Sequence, residues 1–288
     1  MDSVPSSDPL PIVLIRGAGD LGSGVAFRLY HAGYPVIMVD LPTPLLVRRT
    51  VSFGSAIFEP GGVYHVEGIT SRVIKADSAV WLAMRGGEIP IVVDTDGAWR
   101  NINTQVVIDA RVAKRNIDTT PDDAEFVLAL GPGFTVGTDC HAIVETQRGH
   151  NLGRVIWQGS AIPNTGIPGT IGGKDSQRVL RAPRAGHVKP NAAIGDSIEE
   201  GAIIATVDGE PIVAPFSGML RGLIHESVEV WAGLKVGDLD PRGVREHCFT
   251  ISDKALAIGG GVLEAILSRG ILPLHKQNRV RDEADAFT

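Results

Sequence analysis

The chain has 288 residues, 43% of them hydrophobic, and a formal net charge of −6 from 27 Lys and Arg against 33 Asp and Glu. That length and apolar content support a sizeable core and two domains, and the acidic balance argues against nucleic acid or an anionic membrane surface as partner. No run of about 20 apolar residues exists to span a bilayer, and Cys140 and Cys248 are too few and too far apart for a disulfide framework.

The stretch before Ile12 is polar and Pro-rich without Lys or Arg, unlike a signal-peptide n-region, so a reducing cytoplasm is expected. Ile12–Arg16 is a short apolar run meeting Gly17-Ala-Gly19-Asp20-Leu-Gly22, after which Leu21–Ala32 carries helical spacing up to Gly33. Pro35–Asp40 follows as a second strand ending in an acid. Gly17 allows a tight turn, Gly19 lets a pyrophosphate approach the backbone, Gly22 permits close helix packing, and Asp40 is placed to accept from ribose hydroxyls. The expected ligand at Gly17, Gly19, Asp20, Gly22 and Asp40 is an NAD-like dinucleotide or another nucleotide; the competing reading is a structural Gly-rich turn. Arg48-Arg49 is either a 2′-phosphate contact or solvated charge.

Val63–Ala76 alternates weakly like a hairpin and Ser78–Gly86 reads as a short helix. Pro90–Asp94, Val106–Ala110 and Glu125–Leu130 are apolar runs of buried-strand length, expected to extend a parallel sheet. Gly131-Pro132-Gly133-Phe134 then lies at the carboxyl end of a predicted strand, where open α/β sheets place ligands. The dense polar stretch that follows supplies the catalytic candidates Cys140, His141, Glu145 and His150. Gly131, Gly133 and Arg148 are candidates for binding an anionic substrate. No pair has the H-E-x-x-H or C-x-x-C spacing of a metal site, so none is expected. The plainer reading pairs Glu145 with Arg148, hydrogen-bonds both His in a strand-loop corner and leaves Cys140 buried and inert.

Arg181–Asp208 and Val213–Asp240 read as copies of one unit offset by 32 residues: Ala182-Pro183 matches Ala214-Pro215, Gly186 matches Gly218, and Gly201 matches Gly233. The arrangement resembles the lipoyl/biotinyl-carrier hammerhead, whose exposed turn carries a modifiable Lys. Here that turn is Val207-Asp208-Gly209-Glu210-Pro211, so a scaffold or docking role is expected instead of a swinging arm. Beyond it, Ser252 is a plausible N-cap, and Gly259-Gly260-Gly261 argue for close packing or a turn near a ligand. Asp240, Arg242, Asp253 and Lys254 read as loop ion pairs. The expected fold class is α/β, a Rossmann-like parallel sheet domain over 1–178 plus a small all-β hammerhead over 179–243, with a C-terminal helix packing back on the first domain and a polar tail in 244–288.

Arg16-Gly-Ala-Gly-Asp20, Arg48-Arg-Thr-Val-Ser-Phe53, Gly131-Pro-Gly-Phe134, Glu145-Thr-Gln-Arg-Gly-His150, Gly237-Asp-Leu-Asp-Pro-Arg242 and Ser252–Ala265 resemble the YqeB-type family. Its members are called selenium-dependent molybdenum hydroxylase accessory proteins, and its Rossmann part is similar to the XdhC-type accessory proteins of xanthine dehydrogenase. The resemblance runs from about Ile12 to Leu267. It implies a role in maturing a molybdenum hydroxylase, by handling or modifying its molybdopterin cofactor or delivering selenium, with the hydroxylase or its cofactor machinery as partner; it assigns no catalytic residues. The rival readings are an NAD-dependent oxidoreductase with His141 or His150 as general acid/base, and a binding module with an empty Gly-rich turn. A homo-oligomer is compatible with each.

Overall fold

A computed structural model describes residues 11–75, 77–166, 172–174 and 176–273. The polar tail expected after the C-terminal helix lies outside these residues. The chain opens with β1 (Val13–Arg16), α1 (Asp20–His31) and β2 (Val36–Asp40). Next come β3 (Val63–Val66), β4 (Ile69–Ile74), α2 (Asp77–Arg85) and β5 (Ile89–Val93). Then follow β6 (Val106–Asp109), β7 (Phe126–Leu130), β8 (Ala142–Val144) and β9 (Val155–Ile156). These nine strands form one sheet in the order β3-β4-β5-β2-β1-β6-β7-β8-β9, parallel between β4 and β8 and antiparallel at its two edges, β3 and β9.

The central strands are apolar without alternation because both faces are covered. Val13, Ile15, Met38, Ile108 and Leu128 meet α1 on one face, and Leu14, Val107, Val127 and Cys140 pack with Trp99 and Phe134 on the other. The final helix, α3 (Asp253–Ser268), returns to lie along α1. Its close approach explains two of the three consecutive glycines. A Cβ on Gly259 would sit 2.7 Å from the Gly24 carbonyl oxygen of α1, and one on Gly261 would strike the Gly153 carbonyl. Gly260 has open space. The packing reading of this segment therefore holds at Gly259 and Gly261.

The repeat folds into β10 (Val179–Arg181), β11 (Gly186–Pro190), β12 (Ser197–Ile198), β13 (Ile203–Val207), β14 (Glu210–Val213), β15 (Gly218–Leu223), β16 (Glu229–Val230) and β17 (Lys235–Asp240). They form two antiparallel sheets, β10-β17-β15-β12 and β14-β13-β11-β16, in which each copy lends a strand to the other. A shared core of Leu180, Val188, Val207, Ile212, Leu220 and Leu239 lies between them.

The expected fold class is corrected by this architecture. The large sheet is mixed, with antiparallel edges, and among the described residues only α1 and α2 serve as helical crossovers between its strands. The reason is local: β7 and β8 are joined by 131–141, too short for the crossover helix that a wound parallel sheet uses, and β6 and β7 by a segment with a single Pro121–Asp123 turn of 3-10 helix. Nor is the repeat a free-standing hammerhead module. Gly222 of β15 has no room for a side chain because the Val47 carbonyl oxygen would lie 2.8 Å from its Cβ, and Arg49 donates to the Leu223 carbonyl at 2.7 Å.

Candidate functional site

The N-termini of α1 and α3 open on one cavity of about 510 Å³ between the carboxyl ends of the large sheet's strands and the antiparallel sheets. Asp20 and Leu21 from α1, and Ser252 and Lys254 at the start of α3, form part of its wall. Gly19, the N-cap of α1, brings no side chain to cap the first-turn amides. Arg48, Arg178 and Arg221 line the cavity and are buried; Lys114, Arg148, Arg181, Lys235 and Lys254 complete its cationic wall. Against these eight cations stand the carboxylates of Asp20 and Asp238. In a chain of net charge −6, positive charge is thus concentrated on this wall.

Arg221 reaches the cavity through a register shift. In the first copy β11 pairs with β13 regularly, Lys189 opposite Thr206; in the second, the pairing of β15 with β17 jumps between Leu220 and Gly222, leaving Arg221 in a bulge. A bulge re-aims the side chain it carries. Arg221 Nε donates to the His247 carbonyl at 3.1 Å, and Arg48 donates to the same carbonyl at 3.0 Å and to that of Thr250 at 3.3 Å. Burial and the neighbouring Arg48 pull the Arg221 pKa down to about 10. Asp238 and Asp240 compensate, with Arg178 Nη2 3.0 Å from Asp238 and Arg221 Nη1 3.6 Å from Asp240. Arg48 and Arg49, which the sequence leaves as either a phosphate contact or solvated charge, are both held by backbone carbonyls, and Arg48 also faces Asp20 at 3.6 Å.

Burial alone would raise the Asp240 carboxyl, but the Arg242 fork at 2.6 Å, the Arg242 amide and Arg221 hold it down at about 2, below the ordinary 3.8. A depressed folded-state pKa stabilises the protein above the unfolded value, and the gain is lost as pH falls towards the folded one. We therefore expect a loss of stability between about pH 4 and pH 2, measured by urea titration, and a smaller loss over that range in Arg242→Ala.

The candidates in the middle stretch divide. Glu145 is fully buried and accepts from three backbone amides, those of Thr146 and Gln147 at 2.7 Å and of Ile162 at 2.8 Å. All three donors belong to cavity-lining residues, so Glu145 fixes the wall from behind. Arg148 lines the cavity but pairs with Asp253, not Glu145, through two hydrogen bonds at 2.7 and 2.8 Å. Gly131 and Gly133 have positive φ and flank Pro132, which is on the wall. His141 lies away from it: its Nδ1 accepts from the Val127 amide at 2.9 Å, its ring stacks on Phe126, and burial lowers its pKa. His150 is exposed and is not among the lining residues. Cys140 is fully buried, and burial followed by Asp139 pushes its thiol up to about 12. Native protein should accordingly leave Cys140 unalkylated by iodoacetamide at pH 8, with labelling only after denaturation. No group of three metal-ligating side chains with metal-site geometry occurs among the described residues.

At the Gly-rich turn, Gly17 has φ +102° and a Cβ on it would meet the Ala110 backbone at 2.9 Å, while a Cβ on Gly22 would strike the Gly17 carbonyl. Gly19 is less confined, with Leu46 Cδ2 3.6 Å from a Cβ placed there. Asp40 accepts from the Ala18 amide at 2.7 Å and the Leu41 amide at 2.9 Å, and burial raises its pKa. Its carboxylate thus braces the turn. Gly17, Gly19, Gly22 and Asp40 do not line the cavity, whereas Asp20 does. Arg178, Arg221 and Lys235 escaped the sequence reading, although a lone Arg within the apolar Gly218–Leu223 run was a usable signal.

The structure thus joins a large mixed sheet to a pair of antiparallel sheets, with a cavity of mainly cationic lining between them. The chain is 47% identical over 257 residues to the "Uncharacterized protein YqeB" of Escherichia coli (strain K12), a match covering 89% of this chain and 47% of that one. It therefore spans about half the length of this curated relative. No family model matches. Among solved structures it is similar to an aspartoacylase family protein from Mesorhizobium loti (TM-score 0.25, 11% identity, 81% of this chain and 85% of that one). It is also similar to a succinylglutamate desuccinylase from Silicibacter sp. TM1040 (TM-score 0.23, 13% identity, 81% and 85%). No helix among the described residues is long and apolar enough to cross a membrane.

Proposed function

We propose that the chain binds a small phosphate-bearing ligand, of nucleotide or pterin-cofactor type, in the cavity walled by Arg48, Arg178 and Arg221. One observation carries this reading: eight cationic side chains and the N-termini of two helices converge on a cavity in an otherwise acidic protein. Thr146, Gln147 and Asn164 on the same wall supply donors and acceptors for the edge of a heterocycle. Together with the motif resemblance, this favours an accessory protein that handles the molybdopterin cofactor of a molybdenum hydroxylase. Cys140 and Cys248 are both fully buried, so the reading gives neither thiol a selenium-carrying role.

The test is a thermal-shift titration with pyrophosphate, ATP and NAD, paired with extraction of the purified protein for a fluorescent oxidised pterin. Ligand at 100 times its Kd stabilises by about 2.7 kcal/mol, a shift of several degrees. Lys114→Glu/Lys235→Glu changes two exposed wall residues and should weaken pyrophosphate at least about tenfold. Failure of all phosphate ligands to raise Tm would remove the reading; phosphate binding without any pterin would remove the molybdopterin cargo alone.

A further inference from the structure

We infer that Lys254 is a reactive amine of this cavity, placed to form an imine with the carbonyl group of a phosphorylated ligand. The inference rests on the phosphate-site reading and adds a chemical role to it. Lys254 is the second residue of α3, half-buried, and its side chain contributes to the cavity wall. The carboxylate beside it in sequence, Asp253, is taken by the Arg148 fork at 2.7 and 2.8 Å. Asp20, which faces it from α1, lies 3.6 Å from Arg48. Among the described residues Lys254 forms no ion pair.

The surroundings lower the cost of releasing the ammonium proton, so Lys254 can stand in the cationic wall and still react as the amine. Removal from water disfavours the ammonium form and is the largest effect; Asp20 opposes it, Arg148 from the loop after β8 and Lys235 from β17 add to it, Glu145 opposes it weakly, and on balance the Lys254 pKa falls below its ordinary value. A lysine partly withdrawn from water beside other cations is the kind of environment that activates an amine as a nucleophile. Lys114 and Lys235 line the same cavity but are exposed, which suits them to hold phosphate as ammonium ions.

The step is balanced with water alone. The Lys254 Nζ lone pair forms a bond to the carbonyl carbon while the C=O π pair moves to oxygen, and a proton passes from nitrogen to that oxygen to give a carbinolamine. The nitrogen lone pair then expels the hydroxyl, which takes a proton from solvent and leaves as water, and an iminium ion remains. Addition of water reverses the sequence. Arg48, Arg221 and the α1 N-terminus hold the phosphate meanwhile.

Pyridoxal 5′-phosphate, which carries both an aldehyde and a phosphate, is the probe. The full chain is incubated with it at neutral pH, reduced with borohydride and mapped by peptide mass spectrometry, with and without pyrophosphate. We expect about one pyridoxyl group per chain, on Lys254, formed at least about tenfold faster than on any other lysine. Excess pyrophosphate should suppress it, and pyridoxal without the phosphate should label much more slowly. Lys254→Arg, which keeps the charge, should remove the imine absorbance band. Label on Lys114 or Lys235, or spread over surface lysines, would overturn the role of Lys254. Pyrophosphate binding is measured separately on unlabelled protein by calorimetry. Binding without Lys254 labelling removes this inference alone, whereas absence of both binding and labelling removes the phosphate-site reading as well.

Discussion

Glu145→Ala is expected to destabilise the protein by about 3–5 kcal/mol and to abolish pyrophosphate binding. The carboxylate is 1% exposed and accepts from three amides, two from the turn that follows β8 and one from the distant Ile162. Truncation strands those donors without water, and each buried unsatisfied group costs about 1–3 kcal/mol. The functional loss follows from geometry, since Thr146, Gln147 and Ile162 all line the cavity. Glu145→Gln separates the contributions. It keeps two of the acceptor positions at most and places an NH2 group against an amide donor, so an intermediate stability is expected. Chemical denaturation gives the first quantity and calorimetry with pyrophosphate the second. Wild-type binding by Glu145→Ala would show that the wall does not depend on this carboxylate.

Gly259→Val is expected to cost at least about 3 kcal/mol, with Gly260→Val close to neutral by comparison. At Gly259 the added Cβ meets the Gly24 carbonyl oxygen at 2.7 Å and the Arg28 side chain at 2.8 Å. Backbone of α1 cannot yield by tenths of an ångström without moving Val25 and Leu29 out of the core. Gly260 has nothing within 4 Å, so its substitution tests helix propensity alone, which favours a side chain over Gly. Because α1 and α3 both start at the cavity, separating them also pulls its wall apart. Thermal denaturation of the two variants side by side decides it; equal Tm values would mean that α3 does not pack as described.

The elements were readable where burial left few choices of residue. Ile12–Arg16, Pro35–Asp40 and Glu125–Leu130 are apolar throughout because both faces of the sheet are covered, and Gly17 and Gly22 are constrained by backbone closer than any Cβ permits. The 32-residue repeat was readable because its turns need Gly at matching places, Gly201 and Gly233 having φ of +81° and +82°. The antiparallel β3 edge was readable as the hairpin expected over Val63–Ala76, whereas the other edge, Val155–Ile156, is only two residues long and gave no signal. The missing crossover helices were visible only as short connections. The cavity was hidden for a different reason: Arg48, Arg148, Arg221 and Lys254 come from four separate segments, and no local spacing relates them. Cys140, His141 and Glu145 are equal candidates by residue type, and only the convergence of three amides on Glu145 sets it apart.

The bulge at Arg221 makes the two copies of the repeat unequal under mutation. Lys189, Thr206 and Asp208 occupy in the first copy the places that Arg221, Asp238 and Asp240 hold in the second. The first set borders a separate, more open groove together with His187 and His225, while the second is committed to the cationic cavity or the ion network behind it. One shift of register in a ladder thus makes two surfaces of like plan unequal, one bordering an open groove and the other the ion network. Natural sequence change should accumulate at 189, 206 and 208 and be purged at 221, 238 and 240, although the two strand pairs share one backbone plan.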